Sequence, residues 1–217
     1  MTFQLPNQPT ERNRSPIWVR PNVVHRLACE GACLALFLLP ESSEMLKLRR
    51  HTKGTHQWLS PKQGQVLLDL AKQNAEHIAQ PDVLSGLLLA SQELLQPSLG
   101  DNVLLDHRVI HIQESLQQTL PEESPSLEAL ARQINLSRFR LSHLFREQTG
   151  ITLRRYMLWL RMLQAFRKLT QARTVADAAH AAGFSDHAHF TRTSQKMGGR
   201  TPSSLFHDSK IVQANKF

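Results

Sequence analysis

The sequence is poor in cysteine and has no long apolar run. Its 217 residues include only two cysteines, Cys29 and Cys33, which excludes a disulfide framework and leaves no second cysteine pair to complete a zinc site. The longest apolar run, residues 32–39, is far shorter than the about 20 residues that cross a bilayer. The polar first residues do not form a signal peptide. We therefore expect a cytoplasmic protein without a membrane partner.

Catalytic and metal-binding patterns are also missing. The sequence has no glycine-rich phosphate loop, no nucleophile motif and no pair of Asp or Glu residues arranged on a shared face. We therefore predict no enzyme, no catalytic residues and no cofactor. His25 with Cys29 and Cys33 offers a metal or redox sensor as an alternative, because sulfur and imidazole are soft ligands. Cysteines beside small apolar residues are more often part of a core. We predict no metal site.

Charge is distributed unevenly along the chain. Residues 1–120 carry 11 basic and 11 acidic side chains, whereas residues 121–217 carry 15 basic and 7 acidic ones, and the difference of 15 and 7 is the whole net charge of +8. Such a balance points to a polyanionic partner, either nucleic acid or an acidic membrane surface, although a merely solvated basic face is the simpler alternative.

The first 120 residues divide by pattern into three segments. Residues 1–16 are polar with three prolines, and we predict a flexible tail. The runs 17–20 and 34–39 predict strands, and from Pro61 the apolar spacing predicts about three helices. The two prolines of 121–125 mark the boundary of the next domain. The apolar residues of the three helices are Val66, Leu67, Leu70 and Ala71; Val83, Leu84, Leu87 and Leu88; and Val103, Leu104, Ile110, Ile112 and Leu116.

After this boundary the sequence repeats a helix and a tight turn at a spacing of 48 residues. The apolar stripe Leu127, Leu130, Ala131 and Ile134 has its counterpart in Val175, Ala178, Ala179 and Ala182. Ser126 and Thr174 stand where N-caps belong, and Thr174 with Asp177 has the form of a capping box. The turns Asn135-Leu136 and Gly183-Phe184 follow, and each leads to a fresh cap, Ser137 or Ser185. Each unit is thus predicted to begin with a capped helix and a tight turn.

A second helix follows each turn, with Leu141, Leu144 and Phe145 facing inward in one unit and Phe190 with Thr193, shifted by one residue, in the other. Helix, short turn and helix is the geometry that places the second helix in a major groove of DNA. The outward residues are cationic or hydrogen-bonding, as contacts with phosphates and base edges require. They are Arg138, Arg140, Ser142, His143 and Arg146 in the first unit, and Asp186, His187, His189, Thr191, Arg192 and Lys196 in the second.

A long helix is predicted between the two units. Leu153, Tyr156, Met157, Leu160, Leu163 and Phe166 continue one apolar stripe through about 17 residues, which at 1.5 Å per residue spans roughly 25 Å. Successive major grooves on one face of B-DNA are about 34 Å apart, so two adjacent turns are within reach without a dimer. The predicted fold class is mainly α, with a seven-helix C-terminal domain and a small N-terminal part with strands.

These residues resemble the AraC/XylS family of bacterial transcription regulators, whose DNA-binding domain has two helix-turn-helix units joined by a long helix. The resemblance covers 125 to about 205 and is carried by SLEALARQINLSRFRLSHLFREQTG, by AAHAAGFSDHAHFTRT and by Thr201-Pro202. It implies double-stranded DNA as the partner. The family's contact positions fall on Phe139, Ser142, His143 and Arg146, and on His187, His189, Thr191 and Arg192; the outward position of Arg138 adds it to this set.

The chain departs from the family at two points. The family usually has phenylalanine at the position of Ser194 and Phe-Gly at Gly198-Gly199, so we expect weaker packing in the second unit. The N-terminal part, 17–60, resembles a shortened remnant of a cupin-like sensor, and 61–120 is then a helical dimerisation segment. The resemblance leaves open a small-molecule effector, a homodimer and contact with RNA polymerase as further partners.

Two other classes of function compete with a regulator. A degenerate DNA-binding domain, weakened at Ser194 and Gly198, would act as a protein-interaction module. A non-specific packaging protein would bind unrelated DNA sequences with equal affinity.

Overall fold

A computed structural model describes residues 1–30, 42, 45–46, 49–50, 52–73, 104–120, 124–169 and 174–204. The chain divides into two compact units, one formed by the N-terminal half and one that begins at Leu105. Within the described ranges no helix is both long enough and apolar enough to cross a membrane.

The N-terminal unit contains short antiparallel strands in two small sheets. A three-stranded sheet has the order β2-β1-β4, with Phe3 opposite Glu11 on one side and Leu27 on the other. A two-stranded sheet pairs β3 with β5, and Trp18 lies opposite Gln57. The strands are β1 (Thr2–Gln4), β2 (Glu11–Arg12), β3 (Ile17–Val19), β4 (Arg26–Ala28) and β5 (His56–Trp58).

The prediction of a flexible tail over residues 1–16 is wrong. Phe3 is fully buried, and its ring centroid lies 4.5 Å from that of His56 and 6.3 Å from that of Trp58. Glu11 on β2 accepts a hydrogen bond of 2.7 Å from the indole Nε1 of Trp58. The alternation of Phe3 and Leu5 with polar neighbours was a strand signal, because side chains on a strand point alternately to its two faces. Pro6 and Pro9, which follow closely, obscured it.

The other elements predicted ahead of the C-terminal domain are partly described. The strand predicted at 17–20 is confirmed as β3, and the helix predicted from Pro61 is confirmed as α1 (Pro61–Gln73). The strand predicted at 34–39 and the helix predicted around Val83 to Leu88 lie outside the described residues. So does Cys33, while Cys29 carries a free thiol.

The C-terminal unit is helical, as the sequence predicts. It begins ahead of the predicted boundary at 121, because the helix around Ile112 packs with the helices that follow rather than with a separate segment. Residues 202–204 are also helical. Its helices are α2 (His107–Thr119), α3 (Leu127–Gln133), α4 (Arg138–Thr149), α5 (Leu153–Leu169), α6 (Val175–Ala181) and α7 (His187–Gly198).

Asp106 starts α2 as its N-cap. Its carboxylate accepts hydrogen bonds from the backbone N–H of Arg108 at 2.9 Å and from the Arg108 guanidinium at 2.6 Å. The hydrogen bond from the Arg108 side chain has the largest effect and the one from its backbone the next, and together they lower the pKa of Asp106 to about 2. The backbone N–H of Asp106 donates to Oε1 of Gln148 on α4, which ties the start of α2 to the first helix-turn-helix unit.

The unit contains two hydrophobic clusters, and α5 contributes to both. Its N-terminal half places Leu153, Tyr156 and Leu160 in the first cluster, together with α2, α3 and α4. Its C-terminal half places Met162 and Ala165 in the second, together with α6 and α7. The predicted 17-residue linking helix is therefore confirmed, and it is part of two cores rather than an exposed spacer.

Candidate nucleic-acid interface

The first helix-turn-helix unit has the helix caps and the tight turn that the sequence predicts. Ser126 caps α3 by accepting a hydrogen bond from the backbone N–H of Ala129 at 3.1 Å. Asn135 then adopts a left-handed conformation with φ of 53°, which lets the N–H of Leu136 donate to the carbonyl of Ala131 at 3.0 Å. Ser137 caps α4 through the N–H of Arg140. A left-handed residue and two side-chain caps thus fix the angle between the helices.

The second unit repeats this construction. Thr174 and Asp177 form a reciprocal capping box with two backbone bonds of 3.1 Å, as predicted. Gly183 has φ of 75° where Asn135 stands in the first unit, and the N–H of Phe184 donates to Ala179 at 3.0 Å. Both turns therefore close through equivalent hydrogen bonds.

The second recognition helix begins one residue later than the repeat predicts. The prediction that Ser185 caps it is wrong, because Asp186 is the N-cap and accepts a 2.6 Å bond from the N–H of His189. The hydroxyl of Ser185 donates to the Asp186 carboxylate instead. Both bonds lower the pKa of Asp186, and the bond from the backbone of His189 has the larger effect. A carboxylate is favoured at this position because it faces the positive end of the helix.

The shift sets a spacing of 49 residues between equivalent positions of α4 and α7. The C-caps agree with it, since Gly150 and Gly199 both close their helices in the left-handed conformation. Buried positions agree as well, because Leu141 and Phe145 correspond to Phe190 and Ser194, all fully buried. This spacing allows the two outer faces to be compared residue by residue.

Four of the predicted contact residues share the outer face of α4. Phe139, Ser142, His143 and Arg146 are spaced i, i+3, i+4 and i+7, which places them on one side of a helix. Three of them are exposed, and Ser142 is half-buried between them. His143 Nδ1 lies 3.7 Å from a carboxylate oxygen of Glu147, an exposed pair that contributes little stability.

Arg138 is engaged within the protein. Its Nη1 lies 3.0 Å from Oε1 of Glu128 on α3, and its guanidinium carbon lies 4.8 Å from the centre of the Phe139 ring. The hydrogen bond from Arg138 lowers the pKa of Glu128. The structure thus places Arg138 at the edge of the α4 face, where it contacts Phe139.

On α7 the corresponding outer face consists of Ala188, Thr191, Arg192 and Gln195. Thr191 and Arg192 were predicted from the sequence, and Thr191 Oγ1 lies 3.3 Å from Nε2 of His187 one turn earlier. Gln195 was missed, because the one-residue shift predicted for the inward residues was not applied to the outer face. It is exposed and occupies the position of Arg146. Recognising Asp186 as the cap would have found it.

His189 lies at a different place from the other predicted residues. It is half-buried, its ring stands edge-on to Phe184 at 5.2 Å, and its Nδ1 lies 3.2 Å from the hydroxyl of Ser185. The side chain therefore contacts the turn of its own unit. Its role as a DNA contact stays a prediction.

The departure from the family pattern at Ser194 is accommodated in the second core. Ser194 is fully buried, and its hydroxyl donates a 2.7 Å hydrogen bond to the carbonyl of Arg200 beyond the end of α7. Aromatic volume is supplied from other positions, since the ring of Phe190 lies 5.1 Å from that of Phe184 and 5.5 Å from that of Phe166. A buried polar group is tolerated when it is hydrogen-bonded, and Ser194 meets this condition.

Comparison with known proteins agrees with this architecture. Residues 130–208 match the model of a family described as a helix-turn-helix domain. The chain is 32% identical over 125 residues to the arabinose operon regulatory protein of Escherichia coli K12, a match that covers 57% of this chain and 42% of that protein. It is 38% identical over 81 residues to the HTH-type transcriptional activator RhaS of Pectobacterium atrosepticum, over 37% of this chain and 29% of the relative.

Residues 130–208 are thus a helix-turn-helix domain similar to those of these AraC-type regulators. Both of these relatives are regulators, one of the arabinose operon and one a transcriptional activator. The chain spans less than half the length of these curated relatives. A crystal structure of an AraC-type transcriptional regulator from Chromobacterium violaceum is 26% identical, with a TM-score of 0.42 over 45% of this chain and 88% of that one.

Proposed function

We propose that the protein is a sequence-specific transcription regulator whose AraC-type domain inserts α4 and α7 into adjacent major grooves of double-stranded DNA. The observation that carries the proposal is the pair of capped second helices with equivalent outer faces. One face has Phe139, Ser142, His143 and Arg146, and the other has Thr191, Arg192 and Gln195. Arginine, histidine, serine and glutamine side chains can donate hydrogen bonds to phosphates, and they can also exchange hydrogen bonds with the donors and acceptors of base edges.

The linking helix supports binding at two adjacent sites. With 17 residues α5 is about 25 Å long, and its two ends lie in the two separate cores. The basic excess of the C-terminal half supplies attraction for the DNA backbone. A DNA-reading role also accords with a cytoplasmic location, with contact to RNA polymerase and with regulation through an effector or a homodimer. The residues of the N-terminal half are the candidates for that regulation.

Selection from a random pool of duplexes tests the proposal with the full chain. We expect a motif that spans two helical turns and binds far more tightly than a scrambled duplex over a range of salt concentrations. Equal affinity for unrelated sequences would favour a packaging protein. Absence of any DNA binding would favour the interaction module.

Arg192→Ala gives a residue-level test. We expect specific binding to weaken by about 1–3 kcal/mol if Arg192 reads a base, or the salt slope to fall by about one if it holds a phosphate. Arg12→Ala is the matched control, because it removes one exposed arginine from the N-terminal unit and leaves α7 intact. An Arg192→Ala variant that behaves like Arg12→Ala in both quantities removes Arg192 from the interface.

A further inference from the structure

The small sheet of β3 and β5 has polar side chains on one of its faces. The backbone N–H of Arg20 donates to the carbonyl of Thr55 at 2.9 Å, so the strand pairing continues one residue beyond the end of β3. Side chains alternate along a strand, which places Trp18 and Arg20 on the same face of the sheet. Gln57 lies opposite Trp18 and shares that face.

Two hydrogen-bond donors on this face are buried and have no partner among the described residues. They are the indole Nε1 of Trp18 and the Nε of Arg20, while each of the two residues as a whole is half-buried. Burying a donor without an acceptor costs stability, and most buried polar groups of folded proteins are paired. The two donors therefore define a place that is suited to a hydrogen-bond acceptor.

The opposite face of the same sheet shows which acceptor satisfies an indole in this protein. There the Nε1 of Trp58 donates to the carboxylate of Glu11 at 2.7 Å, and Nε2 of His56 lies 3.2 Å from that carboxylate. A carboxylate can accept several hydrogen bonds at once. On the other face, Arg20 forms no ion pair with a carboxylate of the described part of the chain. An oxyanion from outside the chain would be an equivalent acceptor.

Positive charge is concentrated at the same place. The guanidinium of Arg20 donates a hydrogen bond to the backbone carbonyl of Arg49. Burial lowers the pKa of Arg49 most, and the positive charges of Arg20 and Arg50 lower it further. An anion that binds near these groups relieves their mutual repulsion. The charge and the two unpaired donors together favour an oxyanion over a neutral acceptor.

We propose that Trp18, Arg20 and Arg49 bind the carboxylate or phosphate group of a small molecule. The Nε1 of Trp18 and the Nε of Arg20 donate hydrogen bonds to its oxygens, and Arg49 supplies positive charge. Both donor atoms are buried, so a compact group reaches them more readily than the backbone of a DNA duplex does. Arg49 is half-buried and Arg50 is exposed, and such long side chains can move to admit a ligand. As the site of an anionic effector, this site rests on the proposed function.

Heteronuclear NMR of the full chain observes both donors directly, because indole N–H and arginine Nε–H groups give separate signals. The labelled protein is titrated with sodium acetate and with sodium phosphate, without DNA and with sodium chloride keeping the ionic strength constant. We expect the Trp18 indole and the Arg20 Nε–H signals to shift with one common midpoint, and the anion with the lower midpoint is the preferred group. The indole signal of Trp58 should not shift, because Glu11 already accepts its hydrogen bond. No saturable shift with either anion, or equal shifts of Trp18 and Trp58, would overturn the proposal.

Two conservative variants connect the shift to the two donors. Arg20→Lys keeps the positive charge and removes the Nε donor, and Trp18→Phe keeps an aromatic ring and removes the indole N–H. Each should raise the midpoint, read from the signal of the remaining donor, by about tenfold, the size expected for the loss of one hydrogen bond to a charged group. Arg14→Lys is the matched control, because Arg14 is exposed in the same unit, and it should keep the wild-type midpoint. A wild-type midpoint in both variants would exclude these donors from the site.

The anion site and the proposed function can fail separately, because the titration contains no DNA. A chain that selects a DNA motif but binds neither anion overturns the anion site and leaves the regulator in place. A chain that binds an anion but selects no sequence refutes the proposed function and leaves the anion site. The effector role requires the preferred anion to change the affinity for the selected duplex at constant ionic strength in the wild type and not in Arg20→Lys, and an unchanged affinity would refute that role.

Discussion

Two adjacent glycines at the end of α7 should respond to alanine with opposite signs. Gly198 is the last residue of the helix and Gly199 is its left-handed cap with φ of 76°, and a Cβ added at either meets nothing within 4 Å. An alanine side chain therefore clashes with no neighbour at either position, and the two sites differ only in their backbone conformation. Gly198→Ala should stabilise the unit by about 0.4–1 kcal/mol because it restricts the unfolded chain at a helical position. Gly199→Ala should destabilise it by about 1–2 kcal/mol because alanine is strained in the left-handed region.

The difference between the two variants is then about 2 kcal/mol, or about 30-fold in an opening equilibrium. Amide hydrogen exchange of α7 in the full chain, measured by mass spectrometry on the wild type and both variants, reports this equilibrium locally. Slower exchange in Gly198→Ala and faster exchange in Gly199→Ala are expected. A shift of the same sign in both variants would show that α7 does not end at Gly198, and the register of its outer face would have to be revised.

Two further predictions concern helix caps. Thr174→Ala removes one half of the reciprocal capping box with Asp177 and should cost about 1 kcal/mol, seen as faster hydrogen exchange in α6, with no change in α3 as the internal control. Hydrogen bonds from Arg108 lower the pKa of Asp106 from 3.8 to about 2. The ionised carboxylate therefore contributes to the free energy of unfolding above pH 3.8, and this contribution is lost as the pH falls from 3.8 towards 2. Asp106→Asn should therefore flatten the acid limb of a urea-denaturation series; an unchanged limb would exclude Asp106 as a source of acid sensitivity.

The C-terminal fold could be read from the sequence because its signals are local. Apolar stripes, caps and left-handed turn residues lie within a few positions of one another, so the two units and the linking helix were predicted with nearly the observed bounds. The N-cap of α7 was the exception. Serine and aspartate are both favoured N-cap residues, so the residue types of Ser185 and Asp186 do not decide between them, and the structure has Asp186 as the cap.

The N-terminal half was harder to predict because its structure depends on pairing between distant segments. Thr2 to Gln4 become a strand by pairing with Arg26 to Ala28, and Glu11 is held by Trp58 far along the chain. Short strands of three residues carry almost no periodic signal. The attachment of α2 to the C-terminal unit was missed for a similar reason, since prolines after Leu120 suggested a boundary while the burial of Val109, Ile112 and Leu116 against later helices could not be seen.

The shared position of α5 in two cores has a consequence for the DNA that such a protein reads. Since each end of α5 is embedded in a different helix-turn-helix unit, neither reader can rotate about the helix axis without disrupting a core. One base pair added between the two half-sites turns the second by about 34°, because B-DNA completes a turn in about 10.5 base pairs. If both units bind DNA as proposed, the angular phase that α5 holds constant sets the number of base pairs between the half-sites, and the operator is defined by its spacing as much as by its bases.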